Sequence, residues 1–397
     1  MYQNSVGGQR QNPLSFVRQS LFLAVFASLP VIGLVAGPSY APLLFGLAGI
    51  SAILAFGEYR GLPALDKPVA IIALLFVLVC AVGLFDTFSP RISRERLGQM
   101  AGISVGCLLL LALPVVERQA DRLFSVLFWS VALGVAILGL DTALDFPLQH
   151  ALGGDAANIG TKYNRGLIAL VILTWPLAAN LMARGERGKA RMLVVLVLAA
   201  SLVGLSATGL AALVAGFLVW LVASKAPRVA AIFLGVGMSL LALALPLLLR
   251  IASGERAHLA SVVKASGIHR LEIWDYMSAR ILERPLTGWG LGVAKVVPIH
   301  ADELATYLYA DATGIYPHNQ WIELWLETGL PGVLLALALV LLVLWRVRGR
   351  WAAYGLAAAA AALTGSLLNF EITTDSWWAA VAAAGVLYRL LPKEEPA

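Results

Sequence analysis

Residues 316–345 read YPHNQWIELWLETGLPGVLLALALVLLVLW, and the two halves of this stretch behave differently. Pro317 and Asn319 stand where a helix starts, Gly329 where it stops, and Pro331 in the first turn of the next helix. From Thr328 to Trp345 that second helix carries no charge, and its length approaches the roughly 20 residues needed to cross a bilayer core. The rest of the chain has the same character. Of 397 residues, 60% are hydrophobic and only 13% charged, with a mean hydropathy of +0.83. A soluble domain has about 45–50% apolar and about 25% charged residues, so a water-soluble enzyme is excluded. Disordered, collagen-like and disulfide-scaffold chains are excluded on the same figures. Cys80 and Cys107 both lie inside apolar runs and read as packing residues.

Apolar runs recur at about 19–36, 39–57, 68–85, 97–115, 123–141, 166–183, 192–206, 208–223, 229–249, 328–345, 351–368 and 377–391. The first is not a cleavable leader, because the second follows almost directly and no small-residue cleavage site separates them. With the N-terminus in the cytoplasm, the connections on that side carry 17 of the 29 Lys and Arg residues and 7 of the 23 acidic ones. The positive-inside rule then places both termini in the cytoplasm. The expected fold is an all-α polytopic membrane protein of about 12 transmembrane helices, with one large periplasmic loop containing helices. Residues 1–250 would hold spans one to nine, 251–317 the loop, and 318–397 spans ten to twelve.

The loop is far longer than an ordinary helix connection, and long ordered loops tend to carry function. Within it a helix is expected over about 268–284, stopped by Pro285. Arg270, Trp274, Met277 and Ile281 share one face of that helix. Trp274 and Trp289 suit a membrane–water interface.

Missing motifs narrow the chemistry. No Walker A sequence, no GxGxxG after a strand, no HExxH and no Cys/His cluster occurs. There is no Asp-x-Asp pair of the kind that holds a divalent ion for a sugar transferase. Span interiors hold almost no ionisable residues, which argues against an ion-coupled transporter. What remains is a set of cations on the outer face. Lys162 and Arg165 lie in Lys162-Tyr163-Asn164-Arg165 at the mouth of the sixth span, Arg270 is in the loop, and Arg91, Arg94 and Arg96 precede the fourth span. An arginine fork is a natural ligand for phosphate; each one alone serves equally well as a partner for a loop carboxylate or a lipid headgroup. His318 falls at a helix N-terminus, where the dipole disfavours imidazolium, so it is expected to be neutral at pH 7 and able to accept a proton.

Together, Arg270-x-x-x-Trp274, Pro285-Leu-Thr-Gly288-Trp-Gly290-Leu-Gly292, and His318-Asn319 with Glu327-Thr-Gly329-Leu-Pro-Gly332 resemble the O-antigen ligase/polymerase superfamily. The motifs are confined to about residues 200–335. One departure stands out: where members commonly carry a Ser-Arg pair, this chain reads Ser206-Ala207-Thr208-Gly209, so Arg165 or Arg270 would have to take over that arginine's work.

The resemblance implies a metal-independent, inverting glycosyltransferase of the bacterial inner membrane, with its active site facing the periplasm. It would move O-antigen from undecaprenyl diphosphate to lipid A–core, with no cofactor and no nucleic-acid partner. His318 would be the general base. Arg270, Arg165 and Lys162 would hold the donor diphosphate, supported by Asn319 and Trp274. The alternatives are an O-antigen polymerase or an O-linked oligosaccharyltransferase of the same superfamily, and, outside it, a lipid-linked glycan flippase. The single long late loop favours the ligase.

Overall fold

The computed structural model describes residues 13–59, 64–113, 120–153, 163–254, 265–297 and 317–392. Among these residues there are no strands. The helices are α1 (Pro13–Val35), α2 (Tyr40–Tyr59), α3 (Lys67–Val82), α4 (Pro90–Leu111), α5 (Ala120–Ala143), α6 (Pro147–Ala151), α7 (Asn164–Ala183), α8 (Arg187–Val203) and α9 (Ala207–Ala223). They continue with α10 (Pro227–Gly254), α11 (Ala265–Glu283), α12 (Gln320–Arg346), α13 (Ala352–Leu368) and α14 (Asp375–Arg389). Each of the twelve apolar runs falls within or largely within a helix. Among the described residues, seven helices are long and apolar enough to cross a membrane, and α9 and α13 are apolar but shorter. The chain is an all-α protein of the multi-pass membrane type.

The starts follow local chemistry. Asp66 caps α3 by accepting from the Val69 N–H at 3.2 Å, with Pro68 in the first turn. Ser206 caps α9 and Asn319 caps α12 in the same way. At the centre of the bundle stands α7, whose apolar stretch is 89% buried and which packs against α1, α5, α8, α9, α13 and α14. Gly166 lets it approach α1 closely: a Cβ there would meet the Gly33 carbonyl oxygen at 1.9 Å. By contrast α3 is peripheral, with only 6% of its apolar stretch buried, as expected for a helix that faces lipid.

A second core gathers α10, α11 and α12 with the segment after α11. The helix anticipated near 268–284 spans Ala265–Glu283 and buries Met277 and Ile281 on the face it shares with Arg270. The stop anticipated at Gly329 is a kink within α12, where that residue adopts φ 62° and ψ −163°. The kink leaves carbonyls without their usual partners: Pro331 has no N–H to offer Glu327, and the Leu330 N–H turns away to Pro285 O at 2.9 Å. The segment Pro285–Gly292 fills the gap. Trp289 N donates to Leu326 O at 2.7 Å and Gly290 N to Glu327 O at 3.1 Å. Glycine is required on both sides of this seam, since a Cβ on Gly288 would sit 2.6 Å from the Glu327 carbonyl carbon and one on Gly329 2.6 Å from that of Leu286. The same segment reaches the start of α4, where Phe88 N donates to Trp289 O and Ser93 Oγ to Leu291 O.

Candidate active site around His318

The site forms where the starts of α7 and α12, the end of α13, the turn between α8 and α9, and the length of α11 come together. Asn319 fixes the first turn of α12, its Oδ1 accepting from Trp321 N at 3.0 Å and Ile322 N at 3.2 Å. His318, just before this cap, has a φ of 53°. Left-handed backbone is uncommon for a side-chain-bearing residue and tends to persist where surrounding contacts impose it. One such contact is next door: Trp274 Nε1 donates to Pro317 O at 2.6 Å, tying α11 to the residue before the histidine. Trp289 makes a comparable tie, donating from Nε1 to Arg280 O at 2.8 Å. Both indoles, expected at an interface, thus act as staples of this region.

The structure brings His318, Arg270 and Arg165 together. From α11, the Arg270 guanidinium donates to Leu368 O at the end of α13, at 3.0 Å. The His318 ring hydrogen-bonds to the main chain of the next residue, Asn369. Arg165, in the first turn of α7, is exposed. Burial pushes the His318 imidazole down from its ordinary 6.5 to about 4, with the positive fields of Arg270, Arg165 and His269 acting in the same direction. The imidazole is therefore neutral throughout the physiological range. Lys162 lies outside the described residues.

Arg91 and Arg94 do not join this group. Arg91 pairs with Glu95 at 3.3 Å on an exposed helix face, and Arg94 donates to Pro90 O. Arg96 reaches toward Gln99 and Thr373, beside the turn that connects α13 to α14.

Further polar residues to which the sequence assigned no role complete the surroundings. His269 adds to the positive field. Asn369 Oδ1 accepts from Asn164 Nδ2 at 3.2 Å, and Ser206 Oγ donates to Asn164 Oδ1. Two carboxyls are buried along α12. Glu323 Oε2 accepts from Ile372 N at 2.6 Å, and Glu327 Oε1 from Ala294 N at 3.4 Å, so they anchor the two segments that flank the site. Gln320 Nε2 donates to Glu371 O, fixing the α13–α14 turn from the same helix. Among the described residues, no three His, Cys, Asp or Glu side chains converge as a metal site would require. Chemically, the arrangement sets a neutral imidazole able to take a proton beside two guanidinium groups able to hold an anion.

Comparison with known proteins gives this geometry a context. Residues 192–337 match the family model described as O-antigen ligase. That span contains Arg270, Trp274, the glycine segment 288–292, His318 and the Gly329 kink, while Arg165 and Asn369 lie outside it. A protein of Rickettsia felis named "Putative polysaccharide ligase" is 24% identical over 180 residues, 45% of this chain and 44% of its own length. A protein of that name from Rickettsia typhi is 24% identical over 214 residues, 51% of this chain and 53% of its own. One from Rickettsia conorii is 34% identical over 77 residues, 19% of each chain. The chain thus spans about half the length, or less, of these curated relatives. Over this matched segment, which encloses the histidine, one of its two arginines and the kinked helix, the chain is similar to O-antigen ligases.

Proposed function

We propose that this protein is a glycosyltransferase of the O-antigen ligase type, moving a polysaccharide from undecaprenyl diphosphate to lipid A–core. The observation that carries the proposal is the meeting of a neutral His318 with Arg270 and Arg165. A sugar bonded through its anomeric carbon to a diphosphate already has a good leaving group. What its departure requires is stabilisation of negative charge, which fixed cations in a shielded site supply effectively. Arg270 and Arg165 have that role, and Lys162 joins them. The acceptor hydroxyl attacks the anomeric carbon, the bond to the diphosphate oxygen breaks, and the hydroxyl proton passes to His318. Such proton removal is typically worth about 10²–10⁴-fold. In-line attack inverts the anomeric centre, and no metal or nucleotide enters the step. Asn319 and Trp274 hold the histidine's backbone from either side.

In this proposal the chain crosses the bacterial inner membrane twelve times with both termini in the cytoplasm, and the His318 end of the bundle faces the periplasm. The test is a cell-free reaction with purified protein, lipid-linked O-antigen and rough lipopolysaccharide. Ligated lipopolysaccharide should appear with the native protein and fall by orders of magnitude with His318→Ala. Near-normal ligation by that variant at equal protein would remove His318 from the mechanism. Lengthening of the lipid-linked glycan, with none on lipopolysaccharide, would reassign the protein as a polymerase.

A further inference from the structure

The end of α13 is a junction for all three proposed working groups. Arg270 donates to Leu368 O, the His318 ring bonds to the Asn369 main chain, and the Asn369 carboxamide is tied to Asn164, the neighbour of Arg165. The direction of each bond in that last tie can be worked out. Ser206 Oγ already accepts from Gly209 N at 3.0 Å, so its own proton is available to Asn164 Oδ1. Asn164 Nδ2 is then the donor to Asn369 Oδ1, which leaves Asn369 Nδ2 as the last donor of the chain. Nδ2 is buried and has no hydrogen-bond partner, in a residue only 7% exposed. Folded proteins seldom leave a buried donor empty, and one that stays so calls for an explanation.

The surroundings indicate what would fill it. Two guanidinium groups border it, Arg270 donating to the carbonyl of the preceding residue Leu368 and Arg165 following Asn164 in the chain, so the complement to a free N–H here is an anionic oxygen. One arginine offers at most a bidentate pair, whereas a diphosphate presents more oxygens than two arginines cover in that way. We propose that Asn369 is a further ligand-binding residue, its Nδ2 donating to a phosphoryl oxygen of a bound diphosphate alongside Arg270 and Arg165. This rests on the diphosphate-linked donor put forward above.

The test uses the full chain in lipid nanodiscs, with inorganic pyrophosphate and a short-chain prenyl diphosphate as probes. Binding is followed by calorimetry, and the thermal midpoint is recorded without ligand. Asn369→Asp keeps an oxygen to accept from Asn164 and replaces the free donor with a second oxygen. It should weaken both probes by roughly ten- to hundredfold, the range for one lost hydrogen bond to a charged group. Asn369→Ala should do the same, and decides the matter if the Asp variant folds poorly. Asn164→Ala, which leaves the Asn369 donor in place, should weaken binding less. Native affinity in both Asn369 variants, with loss in Arg270→Gln, would overturn the role of Asn369 while leaving the diphosphate site standing. Weakening confined to the prenyl ligand would also overturn it, because the contact would then not be to a phosphoryl oxygen. Failure of the native protein to bind either probe would overturn the donor assignment and this inference together.

Discussion

The depressed basicity of His318 has a consequence that can be titrated. At pH 6 a histidine with a pKa of 6.5 is about three-quarters protonated, whereas one at about 4 is protonated in about one molecule in a hundred. Part of this depression comes from burial and part from Arg270 and Arg165, and the two parts respond to different perturbations. Arg270→Gln removes the largest charge contribution. A positive neighbour disfavours imidazolium, so its loss must raise the His318 pKa from about 4 toward 6.5. A bound diphosphate offsets the same cations and must shift the pKa the same way. The direct assay is nuclear magnetic resonance of histidine-labelled protein in nanodiscs from pH 3.5 to 8. The chain has five histidines, and a His318→Gln spectrum identifies the relevant signal. The ligand-free midpoint should lie near 4, and it should rise in Arg270→Gln and on adding pyrophosphate. Transfer kinetics should agree: the acid limb of kcat/KM, which reports the free enzyme, should fall at lower pH than that of kcat, which reports the complex. The donor would then raise the basicity of the group that activates the acceptor. A ligand-free midpoint near 6.5, or one indifferent to both Arg270→Gln and pyrophosphate, would refute the electrostatic coupling.

Arg165→Ala and Arg270→Ala should each slow transfer at low donor concentration by roughly ten- to hundredfold, the loss of one charge-assisted hydrogen bond. Lysine should restore only part of this, since a point charge lacks the planar fork; unchanged donor dependence in both alanine variants would place the diphosphate elsewhere. Transfer by purified protein should be unaffected by excess EDTA, and activity lost on chelation and regained with Mg²⁺ or Mn²⁺ would reveal a metal requirement. Gly329→Ala should lower the thermal midpoint: at φ 62° and ψ −163° the backbone is nearly glycine-only, at a cost of about 1–3 kcal/mol before steric contact is counted. The added Cβ would also lie 2.6 Å from the Leu286 carbonyl carbon. Gly98→Ala, with open space around it, serves as the control.

The helices could be read from the chain because apolar length in a membrane protein is a local property. The Gly329 kink could be read too, since a Gly followed by Pro331 must break the hydrogen-bond ladder. What fills the break could not. The carbonyls of Leu326 and Glu327 bond to Trp289 and Gly290, main-chain donors that no side-chain pattern announces. The glycine spacing at 288, 290 and 292 is visible as a motif, but its physical causes are remote: Gly288 meets a backbone seam some forty positions later, while Gly290 and Gly292 lie against Thr87 and Arg96, about two hundred positions earlier.

The site divides along the same line. His318, Arg270 and Trp274 lie in compact motifs, so the sequence alone singles them out as candidates. Asn164 and Asn369 are 205 residues apart, each at the end of an apolar helix, and only the packing of α7 against α13 brings them together. Sequence adjacency can also mislead. Arg91, Arg94 and Arg96 form a basic cluster in the chain, yet the first two stay on an exposed helical face and only Arg96 turns inward to Thr373. In a bundle whose working groups come from helix ends, proximity is decided by which ends meet. The polar residues that terminate apolar runs, Asn164, Ser206 and Asn369 among them, are therefore where the missing half of such a site should be sought.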